Sequence, residues 1–208
     1  MKYQVPALYK RIDAFAKTPA NALVAFLWGV CEGIFFFIVP DVYCAYITLF
    51  NRRAGWTAIG FSILGTLLAS VVMYAVVVLA GNGIITYLLH VPEISRPMLD
   101  TVSNTLAAGG LAGLGKLHIS RLILGAIPSK VYSSLAALAG IPLWAFLLWT
   151  IPMRILRLSW AMLLSTWLNG RYSASIKAHT KSWTVGYVIF WTVLHASYYV
   201  VVALSFHQ

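Results

Sequence analysis

Charged residues are scarce in this chain of 208 residues. Asp, Glu, Lys and Arg together make up 10% of it, while 61% of the residues are apolar. A water-soluble domain carries about 25% charged residues. The shortage of charge excludes an ordinary soluble globule, and the high apolar content excludes a disordered chain. The composition therefore indicates an integral membrane protein.

Acidic residues are the rarest, with five Asp and Glu against fifteen Lys and Arg, which gives a net charge of +10. A nucleic-acid-binding protein clusters its basic residues on one soluble face. Here they punctuate apolar runs, which is typical of the loops between membrane spans. We therefore expect no nucleic-acid partner.

Cysteine is almost absent, and the motifs of several enzyme classes are missing. Cys31 and Cys44 lie in apolar segments without a CxxC spacing, so neither a disulfide framework nor a zinc site is indicated. The histidines show no HxxxH or HxH spacing, and no GxSxG occurs. We expect no metal, no cofactor and no enzymatic activity.

Three apolar stretches have the length of a membrane span, for which roughly 20 residues are needed. They cover residues 54–81, 142–168 and 182–206. The second contains Arg154 and Arg157, which are three residues apart and so share one helix face. We predict a spanning helix for each stretch.

Two other apolar segments are interrupted. Residues 21–51 contain Glu32, Pro40 and Asp41, and residues 118–141 contain Pro128 and Lys130. Proline removes a helical hydrogen bond and breaks or kinks a helix. Each segment is therefore either a kinked span or a re-entrant helical hairpin, with Pro40 and Pro128 at the tips. Irregular backbone at membrane depth survives only where protein or water satisfies it, which favours a position beside a site.

The N-terminal segment is amphipathic. Val5, Leu8, Ile12 and Phe15 recur at steps of three and four, and basic residues occupy the opposite face. This pattern predicts that residues 1–20 form an interfacial helix on an anionic leaflet. The remainder, residues 21–208, is expected to form a single transmembrane domain.

The distribution of basic residues favours the hairpin model. If both interrupted segments are hairpins, nine basic residues share the cytoplasmic side: Lys2, Lys10, Arg11, Lys17, Arg52, Arg53, Arg171, Lys177 and Lys181. The connection 82–117 is then external, the loop 169–181 is cytoplasmic, and the N-terminus is cytoplasmic. Hairpin followed by span occurs twice in opposite orientation, so the fold predicted is all-α with two inverted repeats and a C-terminal span.

Five ionisable residues lie in or beside the apolar segments: Glu32, Asp41, Lys130, Arg154 and Arg157. Each Asp, Lys or Arg at the centre of a span costs about 2.5–3.5 kcal/mol on an insertion scale, so they cannot face lipid unpaired. The acids belong to the first half and the bases to the second, and we expect them to pair across the two halves. They are either ion pairs that hold the hairpins or groups of a substrate or proton pathway.

Several motifs resemble the DedA/VTT (SNARE-associated) membrane proteins, in particular their YqaA-like branch. The first motif is Glu32-Gly33-Ile34-Phe35-Phe36-Phe37-Ile38-Val39-Pro40-Asp41. The second is Ile127-Pro128-Ser129-Lys130-Val131-Tyr132, followed by Ala139-Gly140 and Phe146. Arg154-Ile155-Leu156-Arg157 stands where that branch carries two arginines three apart. The resemblance covers residues 21–168.

The resemblance implies a bacterial inner-membrane protein that moves lipid between leaflets, with coupling to protons in some relatives. The lipid would be an anionic or zwitterionic phospholipid or a polyprenyl-phosphate carrier. Glu32 and Asp41 would be the hairpin acids, and Lys130, Arg154 and Arg157 their basic partners or phosphate contacts. Two alternatives stay open: a proton- or cation-coupled transporter of a small solute, and a non-transporting scaffold of the envelope. The sequence leaves room for a homo-oligomer.

Overall fold

Proline and glycine punctuate a chain that is otherwise helical. The computed structural model describes residues 6–121 and 127–206, and within them the chain contains helices and no β-strand. The helices are α1 (Ala7–Ala16), α2 (Pro19–Ile34), α3 (Asp41–Phe50), α4 (Arg52–Ala80), α5 (Gly83–Leu89), α6 (Arg96–Ser120), α7 (Ser129–Leu138), α8 (Leu143–Ala178) and α9 (Thr180–Phe206).

Several prolines stand at the starts of helices, where the missing N–H costs nothing, whereas Pro152 lies inside the helix α8. Pro40, Pro128 and Pro142 each lie immediately before the first residue of a helix, α3, α7 and α8 respectively. The long helix α4 begins at Asn51, whose side chain accepts a hydrogen bond from the amide of Ala54. The sequence therefore encodes most of the helix boundaries locally.

Three helices, α4, α8 and α9, are long and apolar enough to cross a membrane. The number rises to four if α1 and α2, which are bent by 73° at their junction, count as one span. Large apolar side chains point outward along these helices, among them Leu79, Trp144 and Leu148. Outward apolar side chains along a long helix are typical of a helix that lies in lipid. The expected all-α, multi-pass membrane architecture is therefore confirmed at this level.

The two connections predicted between the spans are largely helical. The loop predicted at 169–181 is helical through Ala178, with non-helical backbone angles only at Tyr172. The connection 82–117 contains α5 and most of α6, and α6 turns sharply at Gly110, whose φ is +53°. These segments are too polar to read as membrane spans, but they are helical because they pack against the other helices. Residues 1–5 of the predicted amphipathic helix and 122–126 of the predicted second hairpin lie outside the described residues.

Helices α2 and α4 approach each other very closely. A Cβ atom on Gly29 would collide with the carbonyl of Ser62, and one on Gly65 would collide with the carbonyl of Phe26. Small residues that let backbones touch are the usual means of helix association in membranes. This packing fixes the end of α2, where Glu32 lies, against the middle of α4.

The chain between α2 and α4 returns to the end from which it started. The side-chain amide of Asn21, near the start of α2, donates to the carbonyl of Ala54, near the start of α4, at 3.3 Å. Tyr43 of α3 donates to the side chain of Asn21 at 2.6 Å. The amide of Asn51 donates to Asp13 of α1 at 2.8 Å. Residues 21–54 thus form a loop of two helices whose ends lie side by side.

Helices of the two halves pack against one another. Helix α3 packs on α8 as well as on α4, and helix α7 packs on α4. Two apolar clusters result, one containing Met73 and Phe146 and the other containing Ile63 and Leu158. Along α4 and along α8, the polar groups lie between these two clusters.

Candidate functional site

The break between α2 and α3 carries two acids. Glu32 lies in the last turn of α2 and Asp41 is the first residue of α3, and both are buried, with 3% and 1% of their surfaces exposed. The indole of Trp28 donates to the carbonyl of Ile38 inside the break, at 2.8 Å. Carbonyls of an unwound segment need such donors because water is scarce in an apolar interior.

Helix α8 brings two guanidinium groups to these acids. Arg154 Nη2 donates to Glu32 Oε2 and, at 2.8 Å, to the hydroxyl of Thr66 on α4. Arg157 Nε lies 3.4 Å from Asp41 Oδ2. The structure thus brings together the acids of the first half and the arginines of the second. Thr66 is the midpoint of α4, which places this cluster at mid-height of a spanning helix.

Helix α7 contributes its first two residues. The hydroxyl of Ser129 donates to both carboxylate oxygens of Glu32, at 3.1 and 3.2 Å. Lys130 is fully buried, with 0% of its surface exposed, and donates to the carbonyls of Glu32 and Phe36 at 3.2 and 3.0 Å. Lys130 therefore supplies the hydrogen bonds that water would otherwise donate to the carbonyls at the broken end of α2.

Sequence reasoning missed the carboxylate that neutralises Lys130. Glu93, in the turn between α5 and α6, lies 2.6 Å from the Lys130 ammonium. Burial raises the pKa of Glu93 to about 7, although Lys130 acts in the opposite direction. A signal was present in the sequence: the apolar segments hold three bases against two acids, so a third acid was needed, and Glu93 stands between the apolar residues Val91 and Ile94.

A cavity opens beside this cluster. Its volume is about 60 Å³. Its walls include residues of α2, α7, α8 and α9 and of the turn at Glu93. Of the residues that we singled out from the sequence, Glu32, Pro128, Arg154 and Arg157 line it. Asp41, Lys130 and Pro40 do not line it; they lie behind its walls or at the break.

Hydrogen-bond donors are left over along the cavity. Arg154 Nε, the hydroxyl of Tyr132 and the indole N–H of Trp160 are buried and have no hydrogen-bond partner among the described residues. His118 and His195 also line the cavity. His118 contacts the carbonyl of Met153 through Nε2 at 3.2 Å, and His195 contacts that of Trp191 through Nδ1 at 2.9 Å.

This arrangement is suited to an anion with several oxygen atoms. Guanidinium, phenol and indole groups all donate, and a guanidinium matches phosphate oxygens with two parallel hydrogen bonds. The charges within the cluster balance, with Glu32, Asp41 and Glu93 against Lys130, Arg154 and Arg157. Within the described part of the chain, no group of three His, Cys, Asp or Glu side chains is arranged to hold a metal ion.

Comparison with known proteins identifies no relative. No family model, no curated protein and no solved structure matches this chain.

Proposed function

We propose that this chain moves a phosphate-bearing lipid, a phospholipid or a polyprenyl-phosphate carrier, between the leaflets of a bacterial inner membrane, as its resemblance to DedA/VTT proteins implies. One observation carries the proposal. A cavity at mid-height of a spanning helix is lined by Arg154 and Arg157 and by buried donors without partners. A phosphate headgroup supplies the acceptors that these donors lack.

The broken helices support a transport site. Membrane transporters bind substrate near the midplane, where discontinuous helices expose backbone groups. Here the break before Pro40 and the start of α7 at Pro128 meet at Glu32. The return of residues 21–54 to one end of the molecule supports a re-entrant first hairpin. The packing of α3 on α8 and of α7 on α4 supports the inverted repeat.

Orientation follows from charge. Basic residues of α1 and those of residues 52–53 belong to the same end, because Asn51 contacts Asp13. Arg52 also donates to Asn169 of α8 at 2.7 Å, so the basic C-terminal part of α8 shares that end. The positive-inside rule then assigns this end, and with it the N-terminus, to the cytoplasm.

We propose that uptake of a proton accompanies binding of the lipid headgroup, because the charges of the cluster balance without it. An anion binds a positively charged cluster more tightly than a neutral one. Glu93 lines the cavity and has a pKa raised to about 7, so it is the acid that takes up a proton most readily. Its protonation gives the cluster a net positive charge and favours a phosphate headgroup.

The scaffold alternative is favoured by one observation, which is that each of the three acids already has a basic partner. Paired charges in a membrane protein can serve only to hold helices together. A transporter of a small soluble solute is the other alternative, and it needs no exit for acyl chains.

Reconstitution distinguishes these functions. Purified protein in vesicles with headgroup-labelled phosphatidylglycerol is expected to accelerate exchange of label between leaflets, measured by quenching with an impermeant reductant. Asp100→Asn removes the charge of an exposed acid on α6, outside the charged cluster, and is expected to keep full activity. It is the control for variants that remove an acid of the cluster. Exchange no faster than in protein-free vesicles, under a range of pH gradients, would leave the scaffold or small-solute function.

A further inference from the structure

A second space, separate from the charged cavity, lies between α3, α8 and α9. Its volume is about 370 Å³. Apolar side chains form most of its walls, including Leu49 of α3, Leu164 of α8 and Phe190 of α9. Leu164 and Phe190 are exposed on the outer surface of spanning helices. We call this space the apolar groove.

The apolar groove and the charged cavity share two side chains. Trp160 and Trp191 line both spaces, and their ring centroids are 5.8 Å apart. The indole N–H of Trp160 is buried without a partner among the described residues. An indole has an apolar body and one polar donor, so it suits a boundary between a polar and an apolar region.

We propose that the apolar groove binds one acyl chain of the lipid whose phosphate-bearing headgroup occupies the charged cavity. This inference rests on the proposed function. A lipid whose headgroup lies in the cavity needs an apolar space nearby for its acyl chain. The apolar groove is such a space, because Trp160 and Trp191 line both it and the cavity. A polar ligand finds few partners there, since the hydroxyl groups of the lining are those of Ser165, Ser182 and Tyr187, and that of Tyr187 already donates to the carbonyl of Val42.

Glycine at position 186 keeps the groove open. Gly186 lines it, and a Cβ atom built there meets no described atom within 4 Å. A larger side chain at this position would therefore start in open space at the wall of the groove and add bulk there. Gly60 on α4 offers a matched control, because it is also exposed on a spanning helix and its Cβ would also meet nothing within 4 Å.

The test uses the full chain in vesicles and two photoactivatable lipids. One is phosphatidylglycerol with a diazirine in one acyl chain, and the other is diacylglycerol with the same chain. Adducts are mapped by mass spectrometry. We expect phosphatidylglycerol adducts to be enriched severalfold at residues 160–168 and 182–191 over the outer face of α4. The diacylglycerol should lack this enrichment because it has no phosphate.

The variants sharpen the result. Gly186→Phe is expected to reduce the groove adducts severalfold, and Gly60→Phe is expected to leave them unchanged. If the Phe variant does not accumulate, Gly186→Leu replaces it, and the comparison of the two lipids in the unaltered protein needs no variant. Equal labelling of groove and α4 by both lipids, or unchanged labelling in the filled variant, overturns the groove as a binding site.

Failure of the groove and failure of the proposed function give different results. Enriched groove adducts without protein-dependent lipid exchange would support the site and refute transport. Exchange without groove enrichment would support transport and refute the site.

Discussion

The ammonium group of Lys130 and the carboxylate of Glu93 form a buried ion pair, 2.6 Å apart, between α7 and the turn that joins α5 to α6. Lys130 also donates to the carbonyls of Glu32 and Phe36 at the broken end of α2. One side chain therefore links three segments that are distant in sequence. Because it is fully buried, its loss would leave the Glu93 carboxyl and both carbonyls without their donor.

Removal of one partner of this pair should cost far more than removal of both. We expect Lys130→Met alone, measured at pH 8, to destabilise the protein by about 3–5 kcal/mol, since it leaves the ionised Glu93 carboxylate and the carbonyls of Glu32 and Phe36 buried without their donor. The double variant Lys130→Met with Glu93→Gln should recover a large part of this loss. Chemical denaturation in detergent measures both, with the exposed Lys116→Met as control. Strictly additive single effects would contradict the buried pair.

Stability should depend on pH through Glu93. Its pKa is raised to about 7 in the folded protein from a usual value near 4.5, first by burial. The folded state then holds a proton that the unfolded state releases, so this contribution is complete below about pH 4.5 and is lost as the pH rises through 7. Unfolding midpoints measured from pH 4.5 to 8 should fall with pH in the unaltered protein and in Asp100→Asn. This part of the slope should vanish in Glu93→Gln; an unchanged slope there would assign it to another group.

The contact between α2 and α4 should tolerate no side chain at its glycines. Gly29→Leu forces a collision with the carbonyl of Ser62, and we expect a loss of at least about 1–3 kcal/mol. Gly60→Leu on α4 adds the same bulk into open space and should be neutral. Thermal unfolding of the purified variants makes the comparison. Equal stability of the two variants would show that α2 does not lie this close to α4.

Single cysteines test the predicted topology. In a background without Cys31 and Cys44, cysteines at Arg53 and Ser173 should be protected from an impermeant external reagent, while one at Ser103 should react. All three positions are exposed, and the first two belong to the basic end. Reaction of the Arg53 site from outside would make residues 21–50 a full crossing and would exclude the first hairpin.

Local signals in the sequence account for much of the fold. The lengths of apolar runs predicted the three long helices, and the prolines predicted the breaks before α3 and α7. The helical character of residues 169–178 could not be read in this way, because no apolar run marks it. Its packing comes from residues distant in sequence, such as Arg52, which bonds to Asn169.

Part of the charged cluster could be predicted from the sequence on physical grounds. Charges in apolar segments are too costly to leave unpaired, so Glu32 and Asp41 had to find bases such as Arg154 and Arg157. The sequence does not define which carboxylate faces Lys130, because Glu93 lies in the turn between α5 and α6 and only the fold brings it to Lys130. The cavity and the apolar groove depend on the relative position of α8 and α9, which no local pattern encodes.

The most direct test of the account is lipid exchange by Glu32→Gln. The substitution keeps the volume and one acceptor oxygen of the side chain but removes the charge that faces Arg154. We predict that the variant accumulates in the membrane, yet loses most of the protein-dependent exchange of labelled phosphatidylglycerol between leaflets. Exchange at the rate of the unaltered protein would contradict a transport role for this carboxylate. A variant that fails first in abundance or thermal stability, with full exchange per folded molecule, would identify the cluster as structural.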